Sequence, residues 1–331
     1  MKYFTCAHDV PDIPQLLNEA VQLKAQKNPD ALPGKGKTLG LVFMNPSLRT
    51  RLSTQKAAQQ LGMQILSVNA ATEGWSLEFS DAPMSGTTVE HVKEAAAVMG
   101  EYCDIIGVRS FPSLTDRDKD DREELLLQWM KHCKKPLISL ESATRHPLQS
   151  FADLLTIEEN KKVKRPKVVL TWAPHVKPVP QAVANSFAEW MQFADADFSI
   201  ACPEGMELNP DFTQHAEIFH RQEEALEGAD FVYVKSWSSW KNYGAFYANG
   251  TGWLLNEQKM QLTNEAKLLH CLPVRRDVEL PVSLLESPHS LVIPQAANRV
   301  YAAQAVLKKM LETNFRAEVK TIKETEAIIT A

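Results

Sequence analysis

Ser47-Leu48-Arg49-Thr50-Arg51 places two hydroxyls and two guanidiniums within five residues. The apolar run Leu39-Gly40-Leu41-Val42-Phe43 before it reads as a buried strand, and Asn45-Pro46 ends that strand. Ser47 then occupies the expected N-cap of a helix running to about Leu61. Backbone N–H groups and the positive end of the helix dipole make such a corner an anion site. Arg49 adds a planar fork that matches phosphate. From this segment alone, an ordinary N-cap followed by surface arginines reads equally well.

In open parallel sheets, ligands bind beyond the carboxyl ends of the strands. The residues after the other candidate strands are therefore informative. They include Arg109, Glu141, Arg145-His146-Pro147-Leu148-Gln149, Lys235, Cys271-Leu272-Pro273, Arg275-Arg276 and Asn298-Arg299. One charged residue after a strand is ordinarily a solvated loop residue. Recurrence at many strand ends weakens that explanation.

His146 precedes Pro147 at an expected first helical position, with Gln149 in the first turn. An isolated histidine is more often structural. Here an imidazole and an amide meet at a helix N-terminus, where they can donate to a carbonyl oxygen and hold an amide. Cys271 after a buried strand reads as packing rather than as a nucleophile. No histidine or carboxylate cluster stands at metal spacing, so no metal and no cofactor is expected. The glycine pair Gly34 and Gly36 precedes its strand, which is the wrong place for a dinucleotide turn, and there is no Walker P-loop.

Positioning these groups requires alternating strands and helices. Candidate strands are Leu39–Met44, Ile65–Val68, Ile105–Val108, Pro136–Leu140, Val168–Trp172, Phe198–Cys202, Phe231–Val234, Leu268–Cys271 and Leu291–Ile293. Helical patterns include Thr50–Leu61, Val89–Met99, Glu123–His132, Leu148–Glu158, Gln181–Phe193 and Ala297–Leu311. The alternation predicts an α/β protein with two doubly wound parallel-sheet domains. The pattern restarts after the charged segment Glu158–Pro166, with Leu148–Glu158 as the link. The expected division is 1–147, 148–296 and a C-terminal helix, 297–331, returning to the first domain. Two segments stand out: the proline-stiffened stretch Ala173–Pro180, and the long aromatic loop Ser236–Trp253, expected to be ordered.

The 331 residues exceed what one core usually supports, so two domains are the prior. A net charge of −5 argues against a nucleic-acid partner, and any anion site must be local. Five scattered cysteines without paired spacing fit a reducing cytoplasm. The N-terminal residues lack the apolar stretch of a signal peptide, and no run reaches transmembrane length.

Taken in order, Ser47–Arg51, Arg109, His146-Pro147-Leu148-Gln149 and His270-Cys271-Leu272-Pro273 resemble the signatures of the aspartate/ornithine carbamoyltransferase superfamily. The resemblance runs over essentially the whole chain. Leu48 replaces the second residue of the usual Ser-Thr-Arg-Thr-Arg, and Lys235-Ser236-Trp237 stands where ornithine enzymes carry Asp-x-x-x-Ser-Met-Gly. Both departures, with Trp75-Ser76-Leu77-Glu78 and the proline segment, are similar to the acylornithine branch.

The resemblance implies the site assignments. Carbamoyl phosphate would be held by Ser47, Leu48, Arg49, Thr50, Trp75, Arg109, His146, Gln149, Cys271, Leu272 and Arg299. Arg109, His146 and Thr50 would carry catalysis, and Gln149 with the Cys271-Leu272 backbone would orient the carbamoyl NH₂. Glu141, Lys235, Arg275 and Val89 would surround the acylornithine. It further implies a homotrimer in which Trp75 and Val89 reach a neighbouring site, and a deep knot where the proline segment is threaded by residues 235–255.

Within that branch, acetyl enzymes carry a glutamate at the position aligned with Val89, and succinyl enzymes carry an apolar residue. A carboxylate there would repel a succinyl carboxylate. The expected reaction is carbamoyl transfer to the δ-amino group of succinylornithine in arginine biosynthesis, with acetylornithine as the alternative acceptor. A silent anion-binding paralogue would have lost Arg49, Arg109, His146 or Gln149, and all four are present.

Overall fold

A computed structural model describes residues 1–26, 32–70, 72–247 and 252–329, with side chains described as far as Thr313. The strands are β1 Tyr3–Phe4, β2 Thr38–Phe43, β3 Gln64–Asn69, β4 Leu77–Glu78, β5 Glu90–His91, β6 Ile105–Arg109, β7 Leu137–Glu141, β8 Lys167–Ala173, β9 Asp197–Ala201, β10 Glu217–Phe219, β11 Phe231–Ser236 and β12 Lys267–Leu269.

The chain divides into two compact units. One comprises Met1–Ser110, Leu125–Leu140 and Val300–Ala331; the other comprises Phe111–Glu124 and Glu141–Arg299. Each is built on a parallel five-stranded sheet among the described residues. The first has the order β1-β7-β6-β2-β3 and the second β10-β9-β8-β11-β12. Strands β2, β6, β7 and β8 are buried along almost their whole length. That burial explains their continuous apolar runs, since helices cover both faces of such sheets.

Strand order reverses once in each sheet. In the first, the chain winds outward from β2 to β3 and, on the other side, from β6 to β7, so the switch lies between β2 and β6. In the second it lies between β8 and β11. A crevice opens at such a point beyond the strand ends. Register puts Phe43 beside Arg109 in the first sheet and Ala173 beside Ser236 in the second.

The first core packs Val42, Ile106, Val108, Trp129 and Leu137 together, and the second packs Val169, Val232, Val234 and Leu268. In the second unit the helix Pro147–Asn160 is buried from Pro147 through Ile157. Phe151 on it stacks on Trp190 at 5.4 Å between ring centroids.

Two expectations need correction. Leu291–Ile293 is not a strand. Val292 opens a helix that runs to Ile329, and the predicted Ala297–Leu311 is a part of it. A short apolar run does not reveal its period, and Pro294 is compatible with a first helical turn. From Val300 onward this helix belongs to the first unit, where Lys309 Nζ lies 3.2 Å from Glu19. Ser47 is not the N-cap. The helix Arg49–Gln60 begins behind Leu48, itself in helical conformation and without a side-chain cap bond. The aromatic loop after Ser236 is anchored where described: Trp240 Nε1 donates to Asp121 at 3.0 Å and Tyr243 Oη to Asp120 at 2.8 Å. Residues 248–251, within the segment expected to thread a knot, lie outside the described residues.

Candidate functional site

In the first unit the groups gather at the β2/β6 switch. The turn Met44–Leu48 leaves β2, and Met44 N–H donates to Arg109 C=O at 2.9 Å, which ties that turn to the end of β6. The helix Arg49–Gln60 follows, and its first ladder bond runs from Leu52 N–H to Leu48 C=O at 3.0 Å. The N-terminal N–H groups of this helix therefore precede its ladder, and the dipole is positive there. Arg109 is only 7% exposed and Thr50 1% exposed, and Arg109 Nη1 donates to Thr50 Oγ1 at 3.2 Å. A buried guanidinium beside a helix N-terminus favours an anion. The loss of the Ser47 cap leaves this chemistry in place.

Trp75 and Val89 flank the short ladder formed by β4 and β5. Val89 N–H donates to Ser76 C=O at 3.1 Å, and Trp75 Nε1 donates to Glu90 at 2.8 Å. Both side chains are exposed, Trp75 at 55% and Val89 at 64%. The Glu90 carboxylate is thus engaged by the indole, while Val89 presents an apolar surface.

In the second unit a buried polar chain begins at the end of β7. His146 Nε2 lies 3.6 Å from Glu141 and 3.4 Å from Arg299 Nη2. His146 is the N-cap residue of the helix Pro147–Asn160, with Pro147 at its start, as its sequence suggests. Arg299 Nη1 donates to Gln149 Oε1 at 2.8 Å. Gln149 Nε2 donates to Asp153 Oδ1 at 2.7 Å, and Gln295 Nε2 donates to the same oxygen at 2.6 Å. Gln295 Oε1 in turn accepts from His270 N–H at 2.9 Å. Burial pushes Asp153 up to about 7 against the lowering effect of these amides. Burial and the neighbouring Asp153 carboxyl hold the Tyr233 hydroxyl well above its ordinary value.

The segment after β12 is held from both sides. Leu272 N–H donates to His270 Nδ1 at 3.0 Å. Leu272 has φ 55°, a left-handed conformation that non-glycine residues rarely adopt, and its bond to Pro273 is cis. Burial raises the Cys271 thiol, with Lys235, Asp153 and Glu141 as its charged neighbours. A buried protonated thiol is not a nucleophile at neutral pH.

A second hub was not expected. Glu279, 1% exposed, accepts Ser236 Oγ at 3.0 Å and Arg275 N–H at 3.0 Å, and lies 3.1 Å from His175 Nε2 and 3.6 Å from His270 Nε2. One carboxylate thereby ties the proline segment, the end of β11, the His270–Pro273 turn and Arg275. Lys235 Nζ reaches the Ser236 hydroxyl at 3.2 Å. The Arg275 side chain itself is exposed.

Not every strand-end cation serves this cluster. Arg145 pairs with Glu189 at 2.9 Å and lies over the Phe212 ring at 4.6 Å, while Arg276 pairs with Glu286 at 2.7 Å. Glu123 was also missed: it takes Ser142 Oγ at 2.6 Å and Thr144 N–H at 2.9 Å, bracing the turn between Glu141 and His146. Asp153 had a legible signal, because it lies four residues after Gln149 on one helix face. Glu279 had none.

Among the described residues no cluster of three or more histidine, cysteine or carboxylate groups could hold a metal, and no helix is long and apolar enough to cross a membrane.

The comparisons with known proteins agree over both units. Residues 4–159 match the aspartate/ornithine carbamoyltransferase carbamoyl-P binding domain, and residues 180–310 match the Asp/Orn binding domain. The chain is 50% identical over 315 residues to N-succinylornithine carbamoyltransferase of Bacteroides thetaiotaomicron, covering 94% of this chain and 99% of the relative. It is 33% identical over 323 residues to N-acetylornithine carbamoyltransferase of Xanthomonas axonopodis pv. citri, covering 89% and 92%. A solved glutamate-to-valine mutant of N-acetyl-L-ornithine transcarbamylase, complexed with carbamyl phosphate and N-succinyl-L-norvaline, superposes with a TM-score of 0.88 at 32% identity, over 94% of this chain and 100% of that one.

Proposed function

The chain belongs to the aspartate/ornithine carbamoyltransferase family, and on that premise we propose that it transfers the carbamoyl group of carbamoyl phosphate to the δ-amino group of N2-succinyl-L-ornithine. The products are N2-succinyl-L-citrulline and phosphate, and the place of the reaction is arginine biosynthesis in the cytoplasm.

The observation that carries the reading is the buried Arg109–Thr50 pair at a helix N-terminus on the first switch point. Ser47, Leu48, Arg49 and Thr50 take the phosphate through backbone N–H groups, hydroxyls and the Arg49 fork. Arg109 and His146 donate to the carbonyl oxygen, where negative charge grows as the carbon becomes tetrahedral. Such preorganised donors are worth roughly 10²–10³ in rate each. Gln149 and the Cys271-Leu272 backbone orient the carbamoyl NH₂, and Arg299 adds a further cation.

The neutral δ-amino nitrogen attacks the carbamoyl carbon. The C–O bond to phosphate breaks, its electron pair leaves with phosphate, and the amine proton passes to that phosphate. No protein nucleophile is needed, consistent with a raised Cys271 thiol. Positioning two substrates supplies much of the remaining acceleration.

For the acceptor, Glu141, Lys235 and Arg275 surround the acylornithine, with cations for its carboxylates. Trp75 and Val89 reach a neighbouring subunit's site in a homotrimer, which fits their exposure beside one ladder. The family's knot, the proline segment threaded by residues 235–255, belongs to the same reading. The succinyl choice rests on apolar Val89 and on greater identity to the succinyl relative than to the acetyl one.

A radiolabelled carbamoyl phosphate assay with ornithine, acetylornithine and succinylornithine tests it. The expected result is turnover with succinylornithine well above the other two. Fast acetylornithine turnover with none of succinylornithine would overturn the acyl assignment, and no turnover with any would overturn the transferase.

A further inference from the structure

We propose that Asp153 is the positioning residue that makes the carbamoyl pocket select an amide over a methyl group, an inference that rests on the function proposed above. Arg299 has no acceptor, so the Gln149 atom facing it must be the amide oxygen. Gln149 Nε2 is then directed at Asp153. In the same way, His270 N–H can only donate, so Gln295 presents its oxygen to that N–H and its Nε2 to Asp153. Both amides are thus oriented by their outer partners and anchored by one carboxyl oxygen.

The consequences reach two places that contact the carbamoyl NH₂ in that reading. The Gln149 oxygen is held as an acceptor, and Gln295 fixes the backbone N–H from which His270-Cys271-Leu272 departs. Leu272 N–H bonds back to His270 Nδ1 at 3.0 Å, so the orientation of that turn follows from the same anchor. Asp153, Gln149 and Gln295 are at most 1% exposed, which leaves no bulk water to replace a lost partner. A buried N–H without an acceptor is costly, so removing Asp153 must turn the amides, admit a water or shift the helix. Each of these moves the oxygen that reads the NH₂.

The test uses two stable phosphonates that differ in one group, phosphonoacetamide and acetonylphosphonate, bound to the full chain and followed by calorimetry. The wild type is expected to prefer the amide by about 10²-fold or more. Asp153→Leu, similar in shape and without an acceptor, is expected to cut that ratio at least about tenfold. Asp153→Asn keeps one carbonyl oxygen for both amides, so its ratio is expected within about threefold of wild type. If Asp153→Leu does not melt cooperatively, Asp153→Ala carries the same comparison. Loss of affinity for both ligands with an unchanged ratio is the mark of a merely structural role and overturns the inference. So does a wild-type ratio near one. A wild type that binds neither phosphonate overturns the function itself, an outcome read before any variant is made.

Discussion

Arg109 Nη1 donates to Thr50 Oγ1 at 3.2 Å, joining the last residue of β6 to the first turn of the helix that follows β2. Both side chains are buried, so each fixes the other where the strand order reverses. Thr50→Val keeps the volume and removes the acceptor. We expect kcat to fall about tenfold, and by about 10²-fold or more in Arg109→Ala. Because the two residues form one unit, the double variant should fall little below Arg109→Ala. Steady-state kinetics on the four proteins checks this, and additive losses would show that the pair does not act together.

Arg49 stands at the first position of the same helix and is half-buried. Arg49→Ala should weaken carbamoyl phosphate about 10–10²-fold, the worth of charge-assisted hydrogen bonds. Arg49→Lys should recover only part of that, since an ammonium lacks the planar fork. Calorimetry with carbamoyl phosphate alone separates these outcomes, and unchanged affinity in Arg49→Ala would remove the phosphate site from this helix.

The groups of this corner were legible because they follow buried strands directly. A strand end, a turn and a helix start are local features, and parallel-sheet topology then says which edge matters. His146 was legible for the same reason, through Pro147 at N1. Ser47 misled because serine is a good cap in general, whereas Leu48 already adopts helical dihedrals here. Leu291–Ile293 misled because three apolar residues carry no period. Glu279 was invisible for a deeper reason. Its partners His175, Ser236, His270 and Arg275 come from four separate segments, and only tertiary structure brings them to one carboxylate.

Glu279 yields its own prediction. It fixes the ends of the elements that carry Lys235 and Arg275. In Glu279→Gln one acceptor oxygen is lost, and His175, Ser236, His270 and Arg275 N–H compete for the other. The KM for succinylornithine should rise about tenfold, more than that for carbamoyl phosphate, which Glu279 reaches only through the His270–Pro273 turn. Initial rates with each substrate varied in turn make the comparison. Equal effects on both substrates would assign Glu279 to general folding instead.

The buried Asp153 carboxyl makes stability depend on pH. In the folded protein burial pushes it to about 7, against an ordinary value of 3.8. Between these limits the folded state keeps a proton that the unfolded chain has shed. Stability from this group therefore falls as pH rises from about 4 to about 7, by on the order of 4 kcal/mol across the window. Asp153→Asn has no such ionisation. Urea unfolding at pH 5 and pH 7.5 should show the variant gaining on the wild type at the higher pH. A stability difference that is the same at both pH values would mean that Asp153 does not titrate in this window.

The proposed function makes Val89 the residue that decides between acceptors. It is exposed just before β5 and bonded to Ser76, while the neighbouring Glu90 carboxylate is occupied by Trp75 Nε1 at 2.8 Å. On the proposed reading, the charge nearest the acyl group is set by residue 89 rather than residue 90. A glutamate there would face the free carboxylate of a succinyl group, and like charges at close range raise the cost of the wrong ligand. Val89→Glu should therefore lower kcat/KM for succinylornithine about 10²-fold and leave acetylornithine unchanged or improved. Raising ionic strength should recover part of the succinylornithine loss, because an exposed repulsion is screened. Glu90→Gln is the control: it removes a carboxylate one position away and should leave the substrate ratio near that of the wild type. A ratio that moves with Glu90→Gln and not with Val89→Glu would reverse the assignment of the two neighbours.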